Sequence, residues 1–358
     1  MIDDKFAWIK DLLKQLKSPF ICAILLSTGL LISFNASAKE DREFFPAALL
    51  QMDDNYSHHI LIAEKSTHTL YLFENLGGYP RLVKNYQMVT GKMAGNKKSQ
   101  GDFRTPEGIY YFVDFIPKSD LLERYGKDGD IYGVGAFVMD FPNPIDRGLG
   151  KTGGGIWLHS TNDETRIEKG LDSRGCIVAA NNDLKDISQY LELNRSEVII
   201  VHDLEYWSKE TWEKARTDLH NTLMGWSEAW RSENFDEYIK YYHPQEFSDV
   251  HRGNFSEFAN YKKAVFKNKG TPQINVSDVS ILYSKGYATI SFTQDYSAEK
   301  LKDVGRKILY LKKDEYYKWK IVAEIWTKSG LVQDLDHRIA FRPSMRFFND
   351  PEEKKGSN

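Results

Sequence analysis

Two residues 17 positions apart, His159 and Cys176, are the side chains in this chain best suited to covalent chemistry. Cys176 lies in the run Leu171-Asp172-Ser173-Arg174-Gly175-Cys176-Ile177-Val178, and the other cysteine, Cys22, sits in a leading segment expected to be removed. An exported protein meets an oxidising compartment, where structural cysteines come in pairs, so a single retained thiol needs another purpose. A thiol attacks only as thiolate, which requires a base nearby and positive charge or amide dipoles to hold the negative charge. His159, at the end of the strand-like run Gly155-Ile156-Trp157-Leu158, is the candidate base expected to ionise the sulfur. Ser160 stands where it could hold the imidazole in the right tautomer, and Arg174 adds a cation two residues from the thiol. Gly175 lets the backbone turn tightly, so that amides near Gly175 and Cys176 could donate to an acyl oxyanion. The competing reading is an inert buried thiol beside a structural histidine.

The elements that must position these groups are mostly short strands. Ile60–Ala63 and Thr69–Phe73 flank a turn, as in a hairpin, and Leu82–Val89 follows Gly77-Gly78. Thr90-Gly91 opens a polar loop that runs through Gly101-Asp102, and Thr105-Pro106-Glu107-Gly108 leads into the aromatic strand Ile109–Val113. A loop of that length is expected to be functional. Further strands are expected at Ala136–Asp140, Gly155–His159 and Val198–Val201, with short helices at Pro117–Arg124 and Asn182–Leu193. Beyond Glu205 the pattern changes. Trp212, Ala215, Leu219, Leu223, Trp226 and Trp230 recur at steps of three or four, one apolar helical stripe with Ser208 placed to cap it. Two shorter helices, Phe235–Tyr242 and Phe255–Phe266, precede four strands: Ile274–Tyr283, Tyr287–Tyr296, Lys307–Lys312 and Tyr317–Trp326. The expected organisation is therefore a mainly β catalytic domain over 58–204, an α+β domain over 205–332 and a tail over 333–358, after a lead segment over 39–57.

Residues 1–38 end in an apolar run closed by Ala36-Ser37-Ala38, which reads as a secretory signal peptide with Lys39 as the first mature residue. An uncleaved membrane anchor is the alternative reading, and either one places the remainder outside the cytoplasm, in the periplasm. The whole chain carries a formal charge of -3, and the leading segment holds four Lys against three Asp, so the remainder is slightly more acidic. Nothing here supplies the clustered cations that nucleic acid binding needs, and nucleic acid is excluded as a partner. His58-His59 and His68 lack the spacing of a metal site, so neither a metal nor a cofactor is expected. Gly153-Gly154-Gly155 precedes a strand, whereas a phosphate cradle precedes a helix.

His159-Ser160 followed by Ser173-Arg174-Gly175-Cys176-Ile177 resembles the catalytic signature of the L,D-transpeptidase (YkuD-type) family, and the motifs at Thr90-Gly91, Gly101-Asp102 and Thr105–Tyr110 resemble its lead-in. The resemblance covers roughly 58–202 and implies a β-sandwich with short helices. In it Cys176 would attack a peptidoglycan stem peptide after its diamino acid, release D-alanine and form a thioester, with His159 as base. Gly175, Ser160 and Ser173 would then serve as oxyanion and orienting residues, and Arg174 and Trp157 as substrate contacts. Two positions depart from the family pattern: Arg174 stands where a second His is usual, and Val178 where an Arg is usual. Arg174 could compensate by binding a substrate carboxylate bidentately. The second half is similar to the nuclear transport factor 2-like (NTF2-like) fold, a cone of helices and curved strands, in which Trp226, Trp230, Tyr241, Tyr242 and Trp326 are expected to be packing.

What the acyl-enzyme meets decides the activity. An amine from a neighbouring stem makes the enzyme an L,D-transpeptidase. Water makes it an L,D-carboxypeptidase that trims tetrapeptide stems to tripeptides, as some proteins with this two-domain layout do. A reading of a different class is a wall-binding scaffold without catalysis, which would tolerate loss of Cys176.

Overall fold

The computed structural model describes residues 43–55, 58–267, 272–298, 301–328 and 347–348. The expected signal segment and nearly all of the tail lie outside the described residues. Among the described residues no helix is long and apolar enough to cross a membrane.

Eight strands form a mixed sheet in the order Ile177–Val178, Trp157–His159, Gly135–Met139, Gly108–Pro117, Glu197–Val201, His59–Glu64, Thr69–Leu76 and Tyr79–Gln87. Successive side chains of a strand point to opposite faces, and here both faces are covered. Leu61, Tyr110, Phe112, Val198 and Ile200 enter one core, while Ile60, Ile62, Ile109, Tyr111 and Ile199 enter another. Double coverage accounts for the unbroken apolar run at Val198-Ile199-Ile200, which a half-exposed strand would interrupt with polar residues. A small accessory pair, Leu171–Ser173 with Thr90–Gly91, lies beside the sheet edge, where Val89 also bridges Val178.

A second, five-stranded sheet runs Trp319–Lys328, Leu301–Lys313, Tyr287–Ala298, Gln273–Ser284 and Leu49–Gln51. One face, through Leu282, Ile308, Tyr310 and Val322, shares a core with the back of the first sheet. Its other face carries Ile281, Ile290, Leu309, Leu311 and Ile321 against the helix Lys209–Arg231. That helix buries Trp212, Leu219, Leu223, Trp226 and Trp230 on one stripe, and its first turn is capped by the Ser208 hydroxyl accepting from the Thr211 amide. The chain is thus a sheet-rich first domain followed by an α+β domain of helix on curved sheet.

The lead segment does more than lead. Leu49–Gln51 pairs with Ile281 and Leu282 at the edge of the second sheet, and the Leu49 carbonyl accepts the Trp212 indole N–H at 3.0 Å. Polar stitches also cross between the two sheets. Arg306 donates to Glu197 at 2.9 Å, to the Asn194 carbonyl at 2.7 Å and to Ser291 Oγ at 3.1 Å. The Tyr287 hydroxyl accepts from the Ile109 amide at 2.6 Å.

Candidate active site

Parallel pairing of Trp157–His159 with Ile177–Val178 sets Leu158 against Ile177 and His159 against Val178. Leu158 and Ile177 point into the core. Alternation therefore puts the side chains of Trp157 and His159, and of Val178 and the preceding Cys176, on the opposite face of that edge. Base and nucleophile candidates stand on neighbouring strands and face the same side.

The imidazole is fixed at one nitrogen. His159 Nδ1 lies 2.5 Å from the Ser160 main-chain carbonyl, which can only accept, so Nδ1 carries the proton and Nε2 is the basic nitrogen. Nε2 makes no hydrogen bond among the described residues. Burial drives the imidazole down to about 4, against a raising contribution from the Ser160 carbonyl, and the Arg166 charge lowers it further. Burial also pushes the Cys176 thiol up to about 11, with the Trp157 backbone amide and the Lys97 charge pulling weakly the other way. The thiol lies 3.4 Å from the Gly155 carbonyl, a contact that suits an S–H donor. In the ligand-free protein burial therefore favours the neutral form of both partners. The proton must move when the sulfur attacks, since a buried unpaired charge is disfavoured until a partner charge forms beside it.

The turn before the nucleophile is built by one hydroxyl. Ser173 Oγ accepts from the Gly175 amide at 3.0 Å and donates to the Cys176 carbonyl at 2.6 Å. Gly175 sits at φ 129, where a Cβ would come within 2.9 Å of the Arg104 carbonyl. Because Ser173 occupies the Gly175 amide, that amide is not free for an oxyanion. The Cys176 amide has no partner among the described residues and is the available donor. Arg174 is exposed beside it and makes no ion pair or hydrogen bond among the described residues.

The long loop after Thr90-Gly91 wraps this turn. Its Asp102 carboxylate binds Lys97 Nζ at 2.8 Å and accepts the amides of Lys98, Ser99 and Arg104. Burial alone would raise this carboxyl, but those four donors hold it well below the usual carboxylate range. Gly91 has no room for a side chain, since a Cβ would lie 2.2 Å from the Phe103 carbonyl, and its amide donates to Thr105 Oγ1 at 2.9 Å. Glu107 pairs with the buried Lys65 at 2.9 Å. The motif residues of this loop hold its shape, and Lys97 alone of them acts electrostatically on the thiol.

Ser160, expected to hold the imidazole in one tautomer, meets the ring through its main-chain carbonyl. The Ser160 hydroxyl instead accepts from the Val134 amide at 2.7 Å and donates to the Tyr132 carbonyl at 3.3 Å. Trp157 stands half-buried beside the thiol, with its ring 5.0 Å from that of Tyr132. Sequence reasoning missed Tyr132 and Lys97, because neither stands in a recognisable spacing with Cys176.

The second half holds a separate cavity of about 570 Å³, whose walls include Trp230, Tyr296, Trp326 and, from the first half, Arg147. At its floor Glu324 sits 3.2 Å from Lys307 and 3.7 Å from Lys262, and accepts from the Tyr242 hydroxyl at 2.8 Å. Burial would raise this carboxyl, yet the two lysines and Tyr242 hold it at about 2. Trp226, Trp230 and Tyr242 are core, as expected, and Trp230 also borders the cavity together with Trp326.

Residues 58–200 match the L,D-transpeptidase catalytic domain (YkuD), and residues 218–325 match the Cds6 C-terminal NTF2-like domain. The putative L,D-transpeptidase YafK of Escherichia coli K12 is 30% identical over 129 residues, which is 36% of this chain and 44% of that protein. The chain thus spans less than half the length of the curated relatives it matches. Among solved structures, Bd1075 of Bdellovibrio bacteriovorus superposes with a TM-score of 0.69 at 26% identity, over 80% of this chain and 99% of that one. The helical cell shape determining protein Pgp2 of Campylobacter jejuni superposes with a TM-score of 0.63 at 29% identity, over 78% of this chain and 95% of that one.

Proposed function

We propose that this chain, an L,D-transpeptidase (YkuD) catalytic domain followed by an NTF2-like domain, is a cysteine acyltransferase that acts on tetrapeptide stems of peptidoglycan outside the cytoplasm. The observation that carries the reading is the locked imidazole: with Nδ1–H committed to the Ser160 carbonyl, Nε2 is the only basic position, and it shares a sheet edge and a face with the thiol.

The steps follow from that geometry. As Sγ attacks the carbonyl of the diamino acid, its proton passes to Nε2, and the Cys176 amide donates to the oxygen that becomes negative. Collapse breaks the peptide bond, and the imidazolium returns the proton to the departing D-alanine amine, leaving a thioester on Cys176. An incoming amine or water then loses its proton to Nε2, attacks the thioester and releases the sulfur, which takes the proton back. Keeping both groups neutral at rest protects the thiol from adventitious oxidation, since reactivity follows thiolate character. Arg174, exposed and with no ion pair or hydrogen bond among the described residues, is the group we assign to a substrate carboxylate, and Trp157 forms the adjoining wall.

A second reading, hydrolysis by an L,D-carboxypeptidase in cell-shape control, is favoured by the likeness to Pgp2, which extends through both domains. Incubating the protein with disaccharide tetrapeptide, with and without an acceptor stem, separates the two by product mass. Crosslinked dimer supports the transferase, tripeptide alone supports the carboxypeptidase, and unchanged substrate refutes both.

A further inference from the structure

Tyr132 closes the 3-10 segment Gly126–Tyr132, which follows the short helix Lys118–Tyr125 across the sheet edge. Its ring meets the His159 imidazole nearly edge-on, with centroids 4.9 Å apart and planes at 78°. The same ring packs against Trp157 at 5.0 Å, and Trp157 supplies the backbone amide that reaches the thiol. One half-buried side chain therefore touches the base and the neighbour of the nucleophile.

The backbone around this tyrosine is tied to the residues that follow the base. The Tyr132 carbonyl accepts from Ser160 Oγ, and the Val134 amide donates to the same oxygen. Between them Gly133 takes φ 62, where a Cβ would come within 2.3 Å of Ser160 Oγ and 2.5 Å of the Thr161 amide nitrogen. Three successive residues are thereby registered against Ser160 and Thr161, while the ring also packs against the small core of Ile116, Leu121 and Ala136.

An imidazole held by one hydrogen bond can still rotate about its bond to Cβ, because terminal sp³–sp² torsions are broad. Rotation would lose the Nδ1–H contact and admit water to the base. We propose that Tyr132 is the positioning residue of this site, its ring blocking that rotation so that Nδ1 stays on the Ser160 carbonyl and Nε2 stays toward Cys176. This rests on the acyl-transfer reading only for its effect on turnover. Burial raises the Tyr132 hydroxyl, an ionised Cys176 would raise it further and Arg174 lowers it, which agrees with its place beside the site.

The test compares Tyr132→Phe and Tyr132→Ala in the full chain. The first readout needs no activity: nitrogen NMR of His159 across pH in the ligand-free protein. Wild type and Tyr132→Phe should show a single Nδ1–H tautomer with a low titration point. Tyr132→Ala should show mixed tautomers and a titration point moved up toward 6.5, because water then reaches the ring. The second readout is turnover of disaccharide tetrapeptide. Tyr132→Ala should lose about 10- to 100-fold in kcat with KM nearly unchanged, as expected for part of a general-base contribution. The acid limb of its pH profile should move to higher pH, and the Phe variant should keep both near wild type. An unchanged tautomer and titration point in Tyr132→Ala overturns the proposal, as does a loss confined to KM or a Phe variant as impaired as Ala. A wild-type protein that turns over no stem while the NMR difference persists counts against the acyl-transfer reading alone.

Discussion

At the thiol site, the buried His159 and the half-buried Cys176 have no opposite charge in contact among the described residues, and desolvation drives each toward its neutral form. In the other half Glu324 is also largely shielded from solvent, but two lysines stand within 4 Å and favour the ionised carboxylate. Desolvation acts alike in both places, so the difference lies in whether a counter-charge was built in beforehand. A standing ion cluster suits a wall that must attract a charged group or hold its shape. A neutral pair suits a site where charge is made and quenched within each cycle, and where a permanent thiolate would invite oxidation.

The comparison breaks most visibly at the sulfur. Cys176→Ala should abolish product formation while the protein still melts as wild type does, and residual turnover seen by product mass would remove the sulfur from the mechanism. The same variant decides against a catalytically silent scaffold, which would not notice the change. His159→Ala should lower kcat by about 10²- to 10⁴-fold, the usual worth of a general base, with little change in urea midpoint because no orphan charge is left behind. In contrast, Glu324→Ala strands Lys262 and Lys307 and should cost about 3–5 kcal/mol in urea unfolding. A cost below about 1 kcal/mol would mean that the lysines find water and the cluster behaves like a surface pair. Ser173→Ala leaves the Gly175 amide and the Cys176 carbonyl without their shared partner and should cost about 1–3 kcal/mol, measurable by the same unfolding curves.

The smallest effects are those of pH, and they sharpen the contrast by sign. His159 has a depressed pKa, so its contribution to stability is complete above 6.5 and is lost as pH falls toward about 4. Glu324 is also depressed, and its contribution is lost lower, between 4.5 and about 2. Cys176 is raised, so its contribution is present below 9 and is lost as pH climbs toward about 11. Urea midpoints measured across pH should show these segments, with His159→Gln flattening the first and Glu324→Gln the second. Segments that persist in both variants would assign the pH dependence elsewhere.

Much of the fold was legible because it repeats. The Trp212 to Trp230 stripe has helical period over many turns, and Ser208 lies where a cap belongs. In the second sheet the residue types alternate from Ala288 to Thr293, enough to mark that strand. Leu49–Gln51 was not legible, because three residues carry no period and its partners, Ile281 and Leu282, lie more than 200 positions away. At the site, residue type drew the eye to Cys176 and His159, since few side chains can do their chemistry. The resting protonation was hidden, because burial and the Gly155 carbonyl are matters of three-dimensional surroundings. Ser160 was legible as a partner of the imidazole by adjacency, and only the backbone path reveals that its carbonyl is the group that reaches the ring. Glu324, Lys262 and Lys307 are ordinary charged residues in sequence and become a cluster only when helix and sheet meet.

The shared core between the two sheets has a practical outcome for anyone wishing to dissect the protein. A truncation at Glu205 would strip the catalytic piece of its greasy flank's cover and leave the other piece without its hemming edge strand. Neither excised part should behave as a well-mannered soluble fragment, and calorimetry of the intact chain should trace one endotherm where two separable modules would trace two.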